Sequence, residues 1–142
     1  MKSLLTPAKS TYLLEQGPDY LHQETTEWLS ELEFCKTELS FLAKLLDKAF
    51  LRVSDAQKLS DLASLEKKVK AVRTLTLQTV QEEVIKYERI LSRIDQDQFF
   101  MNKQSMMGQH LLNAQKVKDF MSTVRKIKAE IFKTVEQQLK QA

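Results

Sequence analysis

The stretch that decides the fold is EWLSELEFCKTELSFLAKLL, Glu27 to Leu46. Its large apolar residues are separated by alternating steps of four and three, the spacing that keeps side chains on one face of a helix. The residues on this face are Trp28, Leu32, Cys35, Leu39, Leu42 and Leu46. Leu21 and Thr25 extend the frame backwards, and Ala49 extends it forwards. The pattern predicts one long helix over residues 19–50 with a continuous buried seam.

More apolar residues flank this seam, at Leu29, Phe34, Phe41, Leu45 and Phe50. They predict a buried stripe wider than a two-stranded coiled coil needs, which favours a bundle of three or more helices. Trp28 and Cys35 fall inside the seam frame, so we interpret both as packing residues. A reactive thiol would also need an electropositive setting, and three acidic residues, Glu31, Glu33 and Glu38, surround Cys35 in the sequence.

The composition of the whole chain also indicates helices. Its 142 residues fit one domain, and they include 2 glycines and 2 prolines, well below the average usage of about 7% and 5%. Both prolines and Gly17 lie in residues 1–18, which predicts an irregular N-terminal leader followed by a single helical domain over 19–142. We therefore predict an all-α protein: an elongated, coiled-coil-like antiparallel bundle of three long helices.

A second helix is predicted over residues 55–94, beginning at a capping box formed by Ser54 and Gln57. Four-residue apolar steps through Val72, Thr76, Val80 and Val84 depart from the heptad frame there. The segment TLTLQTV, residues 74–80, alternates like a strand, but it is short and lies inside about forty residues of helical periodicity. We interpret it as helix.

A third helix is predicted over residues 96–140, after a second capping signal at Asp95 and Gln98. Gly108 lies inside it, where glycine costs about 1 kcal/mol relative to alanine. The helix is therefore expected to kink or break near Gly108, and a break would give four helices.

Charge and cysteine content bound the location and the partners. A single cysteine rules out an internal disulfide. No apolar run reaches the length of a membrane-spanning helix, about 18 residues. We therefore predict a cytoplasmic protein. The net charge of +3 is unevenly distributed: Asp19 to Phe50 carries seven acidic and three basic side chains, whereas the two later helices are net basic. The helices are thus complementary within one bundle.

Catalytic groups are scarce, because His22 and His110 are the only histidines. The chain has no Gly-rich phosphate loop, no HExxH sequence and no set of zinc ligands. We interpret His110 as a core residue at a seam position and His22 as a surface residue. The sequence predicts a protein that is not an enzyme and that has no cofactor or metal.

The predicted function is that of a helical interaction or scaffold module. Because the second helix is longer than the first, its far end would project and leave an apolar patch uncovered. The interface candidates are Ile90, Leu91, Ile94, Phe99, Phe100, Met101, Met106 and Met107. Either the N-terminal leader, with Tyr12, Leu13 and Leu14, or another copy of the chain would cover the patch. The expected partner is a second copy, with a dimer favoured, or another helical protein.

Two alternatives remain open. Basic faces on the second and third helices predict binding to a polyanion, either nucleic acid or an anionic membrane surface. The candidates for that role are Lys86, Arg89, Arg93, Arg125, Lys126 and Lys128. A small-ligand site in the bundle interior, near His110 and Thr76, is the other alternative.

The first helix also resembles that of a group of small, uncharacterised, all-helical proteins of Bacteroidetes, which share a Trp-Leu-x-Glu-Leu-x-Phe-x-x-x-Glu-Leu pattern. The matching residues are Trp28, Leu29, Glu31, Leu32, Phe34, Glu38 and Leu39, and a weaker echo lies at His110, Val117 and Phe120. The resemblance implies a helical protein of unknown function and assigns no catalytic residue.

Overall fold

The computed structural model describes residues 7–95 and 103–140, and the side chains of residues 19–93 and 105–138. Apart from residues 51–55, which connect two helices, the described residues are helical, and none of them lies in a strand. The elements are α1 (Pro7–Phe50), α2 (Ala56–Ala71), a π-helical turn (Val72–Thr76), α3 (Leu77–Asp95) and α4 (Lys103–Lys140). Because α2, the π-turn and α3 follow one another without interruption, the described chain forms three long helical stretches, and the all-α prediction is confirmed.

Packing divides the described residues into two units, and each unit takes one segment from each helical stretch. The first unit comprises the described residues up to Leu32 and those of Thr79–Asp119. The second comprises Glu33–Gln78 and the described residues from Phe120 onward. The prediction of a single domain stays a prediction.

Helices that follow one another in the chain run antiparallel inside each unit. In the first unit Glu83 pairs with Lys116, and Tyr87 pairs with His110. Residue numbers therefore increase along α3 in the direction in which they decrease along α4. In the second unit Lys68 of α2 pairs with Glu130, and the Gln138 side chain donates a hydrogen bond to the carbonyl of Lys58. In the second unit α1 runs in the same direction as α4, because Cys35 contacts Met121 and, further along both helices, Glu38 pairs with Lys128. Each unit is a small three-helix bundle.

The seam predicted for α1 is confirmed. Its members, all buried, are Leu21, Thr25, Trp28, Leu32, Cys35, Leu39, Leu42, Leu46 and Ala49. Thr25 fits among apolar neighbours because its hydroxyl donates to the carbonyl of Leu21 at 2.7 Å, so the polar group is satisfied within the helix. Cys35 lies with its Sγ 3.3 Å from the Met121 Sδ of α4, which places the thiol in the packed interior.

The flanks of the seam differ from the prediction of a wide buried stripe. Leu29, Leu45 and Phe50 are half-buried, whereas Phe34 and Phe41 are 66% and 58% exposed. Both aromatic residues lie two positions after a seam residue, which is about 200° around the helix, so they point away from the core. The buried stripe of α1 is therefore narrow.

The predicted start of the first helix is wrong. The sequence placed residues 1–18 in an irregular leader, but α1 begins at Pro7 and includes Gly17 and Pro18. Proline is tolerated in the first helical turn because the N–H it lacks has no partner there. The residues after Pro7 are mostly good helix formers, and the sequence interpretation gave too much weight to Gly17 and Pro18.

The second helical stretch begins one residue later than predicted. Asp55, in extended conformation, is the N-cap of α2, and its carboxylate accepts a hydrogen bond from the Lys58 N–H at 3.0 Å. Ser54 therefore does not form the expected capping box. Gln57 instead donates its side-chain amide to Asp61 at 3.1 Å, one turn further along. Aspartate serves as well as serine in this position, since either oxygen accepts from an exposed N–H.

The interruption of the heptad frame in this stretch is a π-turn. The Leu77 N–H donates to the carbonyl of Val72, five residues back, and both residues are buried. Thr76, predicted as a seam residue, is exposed, and Leu77 takes its place. One extra residue in the frame is thus absorbed by one widened turn, after which steps of three and four resume.

The α4 helix runs through Gly108 without a break, so the observed form is the three-helix alternative. Residues 96–102 lie outside the described residues, and with them the predicted capping signal after Asp95. No helix in the described ranges is long and apolar enough to cross a membrane.

Candidate functional site

A buried polar cluster lies in the core of the first unit and joins all three of its helices. His110 of α4 is fully buried. Its Nδ1 lies 2.9 Å from the Tyr87 hydroxyl of α3, and its Nε2 lies 2.5 Å from a Glu24 carboxylate oxygen of α1. The imidazole ring stacks on Trp28, with centroids 4.7 Å apart and planes inclined by 30°.

The arrangement satisfies both nitrogens of the imidazole. With the proton on Nε2, His110 donates to Glu24 and accepts the Tyr87 hydroxyl hydrogen at Nδ1. The second Glu24 oxygen accepts from the Tyr20 hydroxyl at 3.4 Å. Burial, and then the negative charge of Glu24, raise the pKa of Tyr87 above its ordinary value, so the phenol keeps its proton.

This cluster could relay a proton, but its His110 and Tyr87 side chains are enclosed. A surface cleft of about 330 Å³ between α3 and α4 is lined by Glu83, Lys86, Tyr87, Ile90 and Gln109. It reaches the Tyr87 side chain from outside, while the hydroxyl of that residue is turned to His110. A nucleophile or general base needs a substrate atom within about 3 Å, and His110, with no exposed surface, offers no such place. We interpret the cluster as a core hydrogen-bond network.

Two other polar groups of this unit bear on the same interpretation. Asn113, one turn after His110, is fully buried, and its Nδ2 has no partner among the described residues. His22 Nδ1 lies 2.9 Å from a Glu88 carboxylate oxygen but without hydrogen-bond alignment. No group of three His, Cys, Asp or Glu side chains suited to a metal ion lies in the parts of the chain that the structure describes.

The outer face of α1 in the second unit carries exposed aromatic residues. Phe34 and Phe41 are seven residues apart and thus share one face. Between them on the helix, Glu38 accepts a hydrogen bond from the Lys128 ammonium of α4 at 2.8 Å. Phe132, one turn after Lys128, is 43% exposed. This aromatic face, Phe34 and Phe41, combines large apolar area with exposure, which marks binding surfaces more often than a lone exposed side chain does.

A basic stripe lies on α3 in the first unit. Lys86, Arg89 and Arg93 follow one another at steps of three and four, all three are exposed, and none of them forms an ion pair with another described residue. Of the basic candidates in the second unit, Arg125 and Lys126 are exposed. Lys128 is half-buried and engaged by Glu38, which removes it from the set free to meet phosphates.

The predicted interface at the end of the second helix is wrong where the structure describes it. Leu91, Met106 and Met107 are buried in the first unit and Ile90 is half-buried. The physical reason is the length of α1: it starts at Pro7 rather than Asp19, so the difference in helix length behind the predicted overhang disappears. The side chain of Ile94, and residues Phe99, Phe100 and Met101, lie outside the described part.

The interior ligand site near Thr76 is also wrong, because the Thr76 side chain is exposed and His110 is enclosed by Trp28, Tyr87 and Glu24. The prediction of His110 as a core residue is confirmed. The sequence interpretation missed Glu24 as its partner. The seam position of His110 indicates that this polar residue needs a partner, but the spacing does not indicate which residue it is.

Comparisons with protein-family models, with curated proteins and with solved structures find no match to this chain. The resemblance of the first helix to the Bacteroidetes group stays a prediction.

Proposed function

We propose that the protein is a cytoplasmic, non-enzymatic interaction module that associates with itself through the aromatic face of α1. The observation that carries this proposal is the exposure of Phe34 and Phe41, 66% and 58%, beside a core that is already filled. Two phenylalanines in one line on a regular helix offer large apolar area at low conformational cost. A second copy of the chain presents the same face.

The network around His110 supports the non-enzymatic part of the proposal. His110 is hydrogen-bonded at both ring nitrogens, to Tyr87 and to Glu24, and His110 and Tyr87 are enclosed in the core. In a catalytic site the equivalent groups would converge on open space. Here they hold three helices together in the core, as an interaction module that binds its partner through its outer surface requires.

Sedimentation equilibrium of the full chain from about 5 to 500 µM tests the proposal. We expect a reversible dimer whose dissociation constant rises at least tenfold in the double variant Phe34→Ser, Phe41→Ser. The control is Leu75→Ser, which removes an apolar side chain that is 69% exposed and lies off the aromatic face. A strict monomer over the whole range would contradict the proposal.

The second candidate function is polyanion binding, and the exposed basic stripe of Lys86, Arg89 and Arg93 favours it. Three phosphate contacts predict that log K falls with log salt at a slope of about −2.7 on duplex DNA. Anisotropy titrations with duplex DNA and single-stranded RNA, and co-sedimentation with anionic vesicles, measure this slope and separate the ligand classes. In Lys86→Gln, Arg89→Gln, Arg93→Gln the slope should vanish, and a slope near zero in the wild type would exclude this function.

A further inference from the structure

Buried polar side chains are concentrated in the first unit. Of the four that the described residues contain, three belong to this unit and are fully buried: Thr25, His110 and Asn113. The fourth, Gln138 of the second unit, lies two residues before Lys140, the last residue of α4. A helix end frays without opening the bundle behind it, so the interior of the second unit is free of this cost.

Asn113 differs from the other two in that its side chain is not satisfied. Thr25 donates to a carbonyl of its own helix, and His110 has a partner at each ring nitrogen. The Asn113 Oδ1 accepts a long hydrogen bond, 3.4 Å, from the Gln109 side chain, and the Asn113 Nδ2 has no partner among the described residues. A buried donor without an acceptor favours any conformation in which water reaches it.

The seam of α4 therefore changes character along the helix. In the first unit its consecutive members His110 and Asn113 are polar. In the second unit it is apolar as far as Gln138, through Phe120, Val124, Ile127, Ile131 and Val135. The first half of α4 is thus held in part by polar contacts that water can replace, whereas the second half is held by apolar contacts that water cannot.

We propose that the first unit opens as a whole in the native protein while the second unit stays packed, and that Asn113 sets the population of the open form. Opening is cooperative, because Glu24, Tyr87 and His110 come from three helices and none of these helices can leave without breaking a buried hydrogen bond. The open form uncovers the α1 seam around Trp28, which the closed unit hides. This inference does not depend on the self-association proposed above.

Native-state hydrogen exchange of the full chain, followed by mass spectrometry at low urea concentrations, tests the opening. The comparison lies within α4, since residues 106–117 belong to the first unit and residues 124–135 to the second, and both stretches lie at least three residues inside the helix ends. We expect the amides of 106–117 to exchange about tenfold faster or more, after correction for intrinsic rates. Their opening should also depend less steeply on urea than global unfolding does, because it exposes less surface. Equal exchange with equal urea dependence in the two stretches overturns the proposal.

The variant Ile131→Val provides a control for the independence of the units. It removes a methyl group from a fully buried side chain of the second unit. Exchange in 124–135 should become about twofold faster or more. Exchange in 106–117 should not change, because the second unit is packed in both the closed and the open form. An equal increase in both stretches would show a single cooperative unit and overturn the proposal.

The variant Asn113→Leu tests the residue itself. Leucine has the branched shape of asparagine without its polar atoms, so it removes the unpaired donor and keeps the seam filled. An unsatisfied buried donor shifts an equilibrium of this kind by about fivefold to 150-fold, and we expect exchange in 106–117 to slow at least about fivefold. Asn113→Val repeats the test with a smaller side chain, and circular dichroism checks the helix content of both variants. Slower exchange in either variant supports the role of Asn113, and exchange that is unchanged or faster in both overturns it.

Discussion

Gly108 of α4 lies where a side chain could be added without a steric clash. A β-carbon built on this position has no heavy atom within 4 Å, and the position is exposed. Glycine in a helix costs conformational entropy that alanine does not. We expect Gly108→Ala to raise the free energy of unfolding by about 0.5–1 kcal/mol in urea titrations. A loss of stability would mean that this residue needs a conformation that alanine does not adopt.

Tyr87 makes the free energy of unfolding depend on pH in the alkaline range. Its pKa is raised by burial and by Glu24, so the folded state holds the phenol proton to higher pH than the unfolded state, in which tyrosine titrates near pH 10. Stability from this residue is therefore complete below about pH 10 and is lost as the pH rises above it. We expect Tyr87→Phe to lose less unfolding free energy than the wild type between about pH 9 and pH 11.5, measured by urea titration at each pH.

The same variant should be less stable at neutral pH. His110 would lose the partner of its buried Nδ1, which costs about 1–3 kcal/mol. The control is Tyr20→Phe, which removes a half-buried hydroxyl on Glu24 and leaves Tyr87 in place. It should keep the alkaline loss of the wild type. Parallel pH profiles for wild type and Tyr87→Phe would contradict the linkage.

At the scale of the element, the π-turn is the feature that the heptad pattern does not contain. Val72 and Leu77 are consecutive seam residues separated by five positions, and one hydrogen bond joins them. The Thr74 hydroxyl donates to the Lys70 carbonyl at 2.7 Å beside this turn, so a side chain supplements the backbone ladder where the ladder changes. Without the extra residue, the seam of α2 would continue into that of α3.

Deleting one residue distinguishes the π-turn from the regular helix. Removal of Thr74 shortens the step from Val72 to Leu77 to four, which a regular α-helix accommodates, and we expect the melting temperature to change by only a few degrees. Removal of Glu66, an exposed residue of α2, rotates the flanking seams by about 100° relative to each other. We expect that control to lose several kcal/mol in thermal unfolding. Equal losses in the two deletions would show that the turn is required.

Prediction from sequence succeeded where one rule decided the outcome. The α1 seam follows strict spacing, and all nine of its predicted members from Leu21 to Ala49 are buried. It failed at Thr76, where four-residue steps look regular although the seam makes one step of five to Leu77. It failed again at Pro18, because a local helix-breaking propensity was outweighed within a long helix. Glu24 was beyond the pattern altogether, since side-chain pairing between helices depends on axial register, which spacing within one helix does not encode.

For the whole molecule, self-association should be visible as a dependence of stability on concentration. A dimer that forms from folded chains is stabilised by mass action, so its melting temperature rises with protein concentration. Between about 5 and 500 µM we expect calorimetry to show a rise of about 2–5 °C for the wild type. The double variant Phe34→Ser, Phe41→Ser should melt at the same temperature throughout. A wild-type melting temperature that does not move would contradict a dimer in this range.

The step of five residues from Val72 to Leu77 should also be visible in the pattern of tolerated mutations. In a saturation mutagenesis survey scored by protein abundance, the positions that do not tolerate substitution should recur along α2 and α3 at intervals of three and four residues. Across the π-turn we expect a single interval of five. Polar substitutions at Thr76 would be accepted while those at Leu77 would not, the reverse of what an unbroken repeat implies. Tolerance data alone, with no coordinates, would then locate the added residue in the chain.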